Sequence, residues 1–278
     1  MVTMTPAFTI QDTTPARVRR SAGFSLLEIL VAVGLLAVII VGLMAMFNQT
    51  EKAFRLGTRQ VDILESGRAV MELLVRELQE ATAVPDQLTI NFFATNAFPA
   101  FVQRRPPRDL TNHLQEYFFV LRSNDTWSGI GYLVDAPPGG GVGTLYRYET
   151  NSPSLPRWAV TNLFFTYQQT VANFSAANTN FSRVANNIIH LRVLPYNRDG
   201  ILYTNAENLL LYWFPNQWDA EPAAVDLELG ILEPRAYERY KALVDLEPTN
   251  PLMASAYLVG RADKVHVFRQ RIPIRTSQ

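Results

Sequence analysis

The sequence contains no cysteine, only three histidines and no excess charge of either sign. The missing thiols exclude disulfide bonds, zinc–thiolate sites and thiol catalysis, although their absence does not assign a compartment. No cluster of Lys and Arg is dense enough to predict binding to a nucleic acid. Neither a cofactor nor a nucleic-acid partner is therefore predicted from composition.

Signatures of catalysis are also missing. No G-x-S-x-G or other nucleophile motif occurs, and His113, His190 and His266 stand isolated without metal-ligand spacing. The glycine-rich segment PPGGGVG, residues 137–143, lacks the lysine and Ser/Thr of a phosphate-binding loop. We interpret it as a flexible hairpin loop. No catalytic residue and no metal site is predicted, and the chain is not expected to be an enzyme.

Two further features of the sequence allow more than one interpretation. Asn197 and Asp199 lie in a turn signal and could offer oxygens to calcium, but two ligands are far short of the 6–8 that this ion takes. The tryptophans could mark an interface, yet filling of the core is the expected use of most of them; they are Trp127, Trp158, Trp213 and Trp218.

The longest apolar stretch is FSLLEILVAVGLLAVIIVGLMAMF, residues 24–47, which has no charged or strongly polar side chain from Ile29 to Phe47. A helix rises about 1.5 Å per residue, so this stretch matches the roughly 30 Å hydrocarbon core of a bilayer. A buried helix of a soluble protein with this length and no polar residue is uncommon. We therefore predict a transmembrane helix over residues 24–47.

Two simpler interpretations fit this stretch less well. A cleaved signal peptide has an apolar region of about 7–15 residues followed by a cut site of small residues. Here the small residues Ser21-Ala22-Gly23 precede the apolar run, and the run is longer. A plain membrane anchor accounts for the length but not for Glu28, because a carboxylate beside hydrocarbon requires a partner or an interfacial position.

The hexapeptide GFSLLE, residues 23–28, begins the apolar run and follows a basic leader that contains Arg17, Arg19 and Arg20. This combination resembles the N-terminal signal of type IV pilins and type II secretion pseudopilins. The resemblance implies that a prepilin peptidase cuts between Gly23 and Phe24 and that Phe24 becomes N-methylated. Residues 1–23 are then the prepilin leader.

The resemblance also implies a role for Glu28. In fibres of this family the carboxylate faces the amino terminus of a neighbouring subunit, and such a buried pair is favoured over a lone buried charge. We expect Glu28 to act in subunit assembly; the competing interpretation is a glutamate that only reaches the lipid headgroups. Basic residues flank both ends of the apolar run, so a cytoplasmic leader follows from the motif and not from charge.

The helix is predicted to continue to about residue 83, since residues 48–84 contain helix-forming residues and no proline. Apolar residues at heptad spacing make this an amphipathic segment that packs against the chain's own domain, with a coiled coil as the alternative; they are Phe47, Phe54, Val61, Leu64, Met71, Val75 and Leu78. Charged residues are expected opposite. Glycines are predicted points of bending; they are Gly34, Gly42, Gly57 and Gly67.

Residues 85–278 change to short β-type segments separated by Pro, Gly and Asn, which predicts a β-rich globular domain. One helix is predicted within it at Pro234–Leu246, where Pro234 suits a first turn. The predicted strands are Leu88–Phe93, Glu116–Arg122, Gly131–Val134, Thr144–Glu149, Leu163–Thr170, Asn187–Leu194, Leu209–Phe214, Ala224–Leu229 and Val265–Ile274. The fold class is α+β, with a long N-terminal helix packed on an antiparallel β-rich domain in a pilin-like arrangement.

Size and composition indicate which members of the family the chain resembles most. The chain would remain larger than most major pilins after cleavage, and Ala45 stands where many major pilins have a proline. The segments IIHLRVLPYNRDG, AAVDLELG and VHVFRQRIPIR, with Trp218, resemble the later sheet of the J-type pseudopilin and the W-type minor pilin. In that group the large minor subunits form a tip complex that primes fibre growth.

The resemblance therefore implies a non-catalytic minor subunit of a type II secretion pseudopilus or type IV pilus, at or near its tip. Its expected partners are the prepilin peptidase, other pilin or pseudopilin subunits and inner-membrane lipid. The expected location is the inner membrane, crossed once, with the C-terminal domain in the periplasm. The alternatives are a bitopic membrane-anchored binding protein without a fibre role and a membrane-anchored enzyme of unfamiliar type.

Overall fold

The computed structural model describes residues 23, 25–82, 90–123, 126–138, 140–153, 158–203, 211–214, 222–247 and 252–274. The chain divides into two units, Met1–Leu56 and Gly57–Gln278. The described helices are α1 (Leu26–Gln79), α2 (Trp158–Ala172), α3 (Pro234–Leu246) and α4 (Leu252–Val259), with a short 3-10 helix at Ala262–Lys264. The described strands are β1 (Phe92–Asn96), β2 (Phe101–Gln103), β3 (Leu110–Asn112), β4 (Gln115–Ser123), β5 (Thr126–Asp135), β6 (Gly143–Pro153), β7 (Phe181–Tyr196), β8 (Leu211–Phe214), β9 (Ala224–Leu232) and β10 (Val265–Pro273).

The second unit is built on one large sheet with the strand order β10-β9-β7-β6-β5-β4-β1-β8, and β2 and β3 form a separate hairpin. Every paired strand in these sheets is antiparallel to its neighbour. A long apolar helix followed by this domain confirms the predicted α+β class.

The centre of the sheet is buried on both faces, as β4 shows. Tyr117 and Phe119 belong to the core cluster formed with α1, whereas Phe118 and Val120 belong to the cluster formed with α2. All four side chains have no exposed surface. Because successive residues of a strand point to opposite faces, an unbroken apolar run such as YFFV indicates a strand covered on both sides.

Helix α1 buries one face within the second unit, and its buried positions are Ile63, Gly67, Val70, Met71, Leu74, Val75 and Leu78. Burial of Met71, Val75 and Leu78 confirms part of the predicted stripe. The stripe was wrong at Phe54, Val61 and Leu64, which are 76%, 59% and 44% exposed. A straight helix turns every 3.6 residues, so its buried face drifts away from a strict heptad row. The charged positions expected opposite this face, Glu65, Glu72, Arg76 and Glu80, are exposed.

Gly67 has a packing role in α1. A Cβ atom built at this position would lie 2.3 Å from the ring of Phe268 in β10 and 3.2 Å from Ile231 in β9. The helix is continuous through this residue. The glycine that was predicted to be a point of bending therefore provides room for an aromatic ring.

Helix α2 corrects one predicted strand, because residues 163–170 lie within Trp158–Ala172. Its Leu163, Phe164 and Tyr167 are buried against the sheet, at a spacing typical of one helical face. The receiving surface is β5, where a Cβ atom at Gly131 would lie 2.3 Å from the Tyr167 ring. The aromatic residues favoured a strand locally, but the space left by that glycine favours a helix that inserts a tyrosine.

Most of the other predicted helices and strands are confirmed. Helix α3 spans the predicted residues 234–246, and β4 to β10 overlap seven predicted strands. The strand predicted at 88–93 overlaps β1, and residues 88 and 89 lie outside the described residues. Helix α4 and the β2–β3 hairpin were not predicted, since eight and three residues are too few for a clear periodic pattern.

Candidate functional site

Of the residues that the sequence singled out, Glu28 lies in the first turn of α1 and Gly23 precedes the helix. Gly23 and Glu28 are described and exposed, whereas Phe24 lies outside the described residues. The backbone N–H of Glu28 donates to the backbone oxygen of Ser25 at 3.0 Å and to its Oγ at 3.2 Å. Ser25 therefore caps the helix directly after the predicted cleavage position.

The capping serine and Glu28 together form the pattern S-x-x-E of a capping box. In such a box the serine side chain satisfies an amide of the first turn, and an acidic residue at the third helical position suits the positive end of the helix dipole. Sequence reasoning missed this contribution of Ser25, although the S-x-x-E spacing before an apolar run is its known signal. Glu28 thus has a local structural use in addition to any role between subunits.

The helix that follows presents apolar side chains all round. Between Leu26 and Phe47 its large apolar residues are 51% to 83% exposed. An 18-residue window of α1 has a mean hydropathy of 3.0, which is long and apolar enough to cross a membrane. An apolar surface of this extent is unfavourable in water and is satisfied by lipid or by other apolar helices.

Residues 18–44 match the family described as the prokaryotic N-terminal methylation motif. The chain carries a pilin-type methylation signal. Prepilin peptidase processes its substrates at this signal. The match supports a pilin- or pseudopilin-type precursor and confirms the resemblance drawn from residues 23–28. No curated protein and no solved structure matched the chain.

The methylation signal and the apolar helix agree with anchoring in a membrane. They also suggest pilin-type partners in general. The roles of Phe24 in N-methylation and of Glu28 in assembly remain predictions.

Beyond the methylation signal, the second unit contains a polar cluster between α1 and the sheet. Nε of Arg147 lies 2.8 Å from Oε1 of Glu77, and the hydroxyl of Tyr132 donates to Oε2 of Glu77 at 2.5 Å. Arg147 also pairs with Glu149. Burial, with the nearby charge of Glu77 second, raises the pKa of Tyr132. The phenol therefore remains a hydrogen-bond donor to the carboxylate.

A second polar cluster joins two histidines that the sequence treated as isolated, which was wrong for His113 and His190. The backbone N–H of His113 donates to Nδ1 of His190 at 3.1 Å, and Nε2 of His190 lies 3.1 Å from Oε2 of Glu228. Because Nδ1 accepts a hydrogen bond, Nε2 carries the proton and donates to the carboxylate. Arg269 contacts the other oxygen of Glu228 at 3.0 Å.

Hydrogen bonding and burial both shift pKa values in this histidine cluster. The hydrogen bond from His190 holds the pKa of Glu228 below its usual value, and the charges of Arg269 and Arg192 act in the same direction. Burial lowers the pKa of His113, assisted by the positive charge of Arg192. No group of His, Cys, Asp or Glu side chains suited to a metal ion occurs within the described ranges.

The glycine-rich segment is a hairpin loop between β5 and β6, as predicted. Gly141 has a φ of +117°, and a Cβ atom there would lie 2.3 Å from the hydroxyl of Tyr240 in α3. The same hydroxyl accepts the N–H of Val142 at 3.4 Å. Gly141 therefore allows the loop to pack closely on α3. The sequence predicted a flexible loop and did not predict this contact.

The remaining candidates have structural explanations. Asn197 Oδ1 accepts the N–H of Ile201 at 2.8 Å, which closes the predicted turn around Asp199. Trp127 is buried in the core next to α2. His266 lies 3.8 Å from Glu233. The side chains of Trp158 and Trp213, and all of Trp218, lie outside the described residues.

Proposed function

We propose that the chain is a non-catalytic minor subunit of a type II secretion pseudopilus or a type IV pilus. In this proposal it is processed after Gly23, N-methylated at Phe24 and located at or near the fibre tip. The observation that supports this proposal is the methylation signal at residues 18–44, which includes much of the exposed apolar part of α1. Helices of this kind gain stability by packing on one another once they leave water.

Glu28 supplies the electrostatic part of the proposal. Its carboxylate would face the methylated amino terminus of a neighbouring subunit, and an unpaired charge beside hydrocarbon would favour docking. The large β-rich domain, proposed to lie in the periplasm, supports a minor subunit of the J-type or W-type over a major one. The absence of a nucleophile or metal motif from the sequence supports a structural role and not an enzymatic one.

The test is mass spectrometry of the mature amino terminus in the native host. A chain that begins at N-methyl-Phe24 is the expected result, because the signal specifies that cut and modification. An intact Met1 or a cut after Ala45 would contradict the proposal and would favour a membrane-anchored binding protein or a secreted domain. Recovery of the protein in the fibre fraction at low abundance relative to a major subunit is expected for a minor subunit.

A further inference from the structure

A group of six exposed arginines belongs to neighbouring elements of the second unit: the β2–β3 hairpin, whose β2 contacts α4, then α3, which contacts α4, and the residue that follows α4 closely. We call it the arginine patch; its members are Arg104, Arg105, Arg108, Arg235, Arg239 and Arg261, all exposed. None of them forms an ion pair with a carboxylate among the described residues. Arginines elsewhere in the unit do form such pairs, as Arg147, Arg269 and Arg271 show.

The hairpin that carries the first three arginines is held in place by buried hydrogen bonds. Nε2 of Gln103 donates to the backbone oxygen of Leu258 at 2.8 Å, and Nδ2 of Asn112 donates to Oε1 of Gln103 at 2.9 Å. The backbone N–H of Arg104 donates to the oxygen of Val259 at 2.8 Å. A hairpin of two three-residue strands is marginal alone, so these contacts to α4 fix its basic tip in one position.

Two of the other arginines, Arg239 and Arg261, lie near one aromatic ring. The guanidinium carbon of Arg261 lies 4.9 Å from the centroid of the Tyr257 ring, and that of Arg239 lies 5.9 Å from it. Arg235 lies one turn before Arg239 on α3, a spacing at which like charges repel. It also occupies the first turn, where positive charge is disfavoured by the helix dipole. This arrangement costs stability that an anionic partner would restore.

The structure assigns the arginine patch as an interaction surface for an acidic segment of another protein. Guanidinium groups bind carboxylates through paired hydrogen bonds, and arginine is enriched in protein interfaces. This inference concerns the second unit alone and holds whether or not the chain enters a fibre. It therefore goes beyond the proposed function and does not depend on it.

The patch suits a protein better than a nucleic acid for two reasons. Its Tyr257 ring already contacts the guanidinium groups of Arg239 and Arg261, which compete with the stacking on bases that single-stranded nucleic acids use. Acidic residues lie among the arginines and would repel a continuous run of phosphates; they are Asp109, Glu238 and Asp263. A protein segment of mostly acidic but mixed side chains can satisfy both signs of charge.

The experiment uses the full chain in detergent micelles and fluorescence anisotropy. The probe is a fluorescent peptide of alternating Glu and Gly, and an oligothymidylate of equal length is the comparison. We expect the peptide to bind and its affinity to fall about tenfold in the triple variant Arg104→Ala, Arg105→Ala, Arg108→Ala, because several weak surface ion pairs are lost together. The triple variant Arg235→Ala, Arg239→Ala, Arg261→Ala, which leaves the hairpin intact, should give a similar loss.

The matched control removes the same charge outside the patch, at the exposed residues Arg68, Arg76 and Arg198. Alanine at all three should change the affinity less than about twofold, since distant exposed charges are largely screened. The inference is overturned if the wild-type chain does not bind the peptide, if control and patch variants weaken binding equally, or if the oligonucleotide binds more tightly than the peptide.

Discussion

Arg147 and Glu77 form an ion pair at 2.8 Å that joins β6 to α1 within the second unit. Both side chains are largely buried, with 18% and 14% of their surfaces exposed. The same carboxylate accepts the Tyr132 hydroxyl. A single acidic residue of the helix thus satisfies two polar groups of the sheet, which fixes the rotation of α1 on the apolar core.

Replacing Glu77 with Gln should lower the free energy of unfolding by about 1–3 kcal/mol, because it weakens hydrogen bonds to a charged, partly buried group. Arg147 keeps Glu149 as a partner, so the loss stays below that of an isolated buried charge. Urea unfolding followed by tryptophan fluorescence measures the change. Glu72→Gln, at an exposed position of the same helix, is the control; an equal loss in both variants would contradict the assignment.

Two glycines of α1 should respond in opposite directions to alanine. Gly67→Ala is expected to destabilise the second unit by about 1–3 kcal/mol, because the new methyl group overlaps the Phe268 ring. Gly57→Ala meets no atom within 4 Å and should stabilise the helix by up to about 1 kcal/mol. Thermal unfolding of both variants by circular dichroism checks this. Stabilisation by Gly67→Ala would show that the close packing is wrong.

The charge of Glu28 and the helix cap that Ser25 provides can be tested separately. Glu28→Gln keeps a residue that suits the third position of a capping box but removes the charge. We expect this variant to be cleaved normally after Gly23 and to be absent from the fibre fraction. Ser25→Ala, which weakens the helix start by about 1 kcal/mol, should leave incorporation intact.

Immunoblots of sheared fibres, with mass spectrometry of the amino terminus, give both readouts for these variants. Glu28→Ala should behave as Glu28→Gln does. Normal incorporation of Glu28→Gln would show that the carboxylate has no part in assembly. Glu28 would then matter only at the start of the helix.

Stability of the second unit should fall in acid in two ranges. The pKa of Glu228 is lowered from 4.5, so its contribution is present above that pH and is lost as pH falls through the lowered value. The pKa of His113 is also lowered, from 6.5, so its neutral ring favours folding above that pH and loses this advantage below it. The stabilisation that these two groups provide should therefore decrease on acidification, that of His113 below pH 6.5 and that of Glu228 below pH 4.5.

Glu228→Gln tests the lower range. It should reduce the melting temperature at neutral pH and make the curve flatter below 4.5, where the wild-type carboxylate becomes protonated. The exposed variant Glu72→Gln is again the control. The same pH dependence of the melting temperature in the wild type and in Glu228→Gln would contradict the contribution of Glu228.

Sequence patterns predicted the elements that have a long apolar run or a clear local signal. The apolar run of α1, the proline start of α3 and most strands of the large sheet are examples. Helix α2 was mistaken for a strand because Phe and Tyr favour strands locally. Its packing depends on Gly131 of β5, where an added Cβ atom would meet the ring of Tyr167.

The polar clusters were beyond sequence reasoning for a related reason. His113 and His190 are separated by 77 residues, and Glu77 and Arg147 by 70. Neither pair shares a motif, so only the tertiary structure brings its members together. The capping box has a local spacing, but the charge of Glu28 in an apolar run has an explanation of its own, so the sequence did not single out Ser25.

The sequence alone determined the processing signal, the apolar helix and the α+β class, because each depends on residue type and spacing along the chain. A peptidase and a bilayer both act on a linear segment, so a linear pattern is sufficient to specify them. The tertiary structure decided which face of α1 is buried, why Gly67 is a glycine, that α2 is a helix and where the unpaired arginines gather. These depend on distances between residues far apart in sequence, which the packing of the sheet alone fixes.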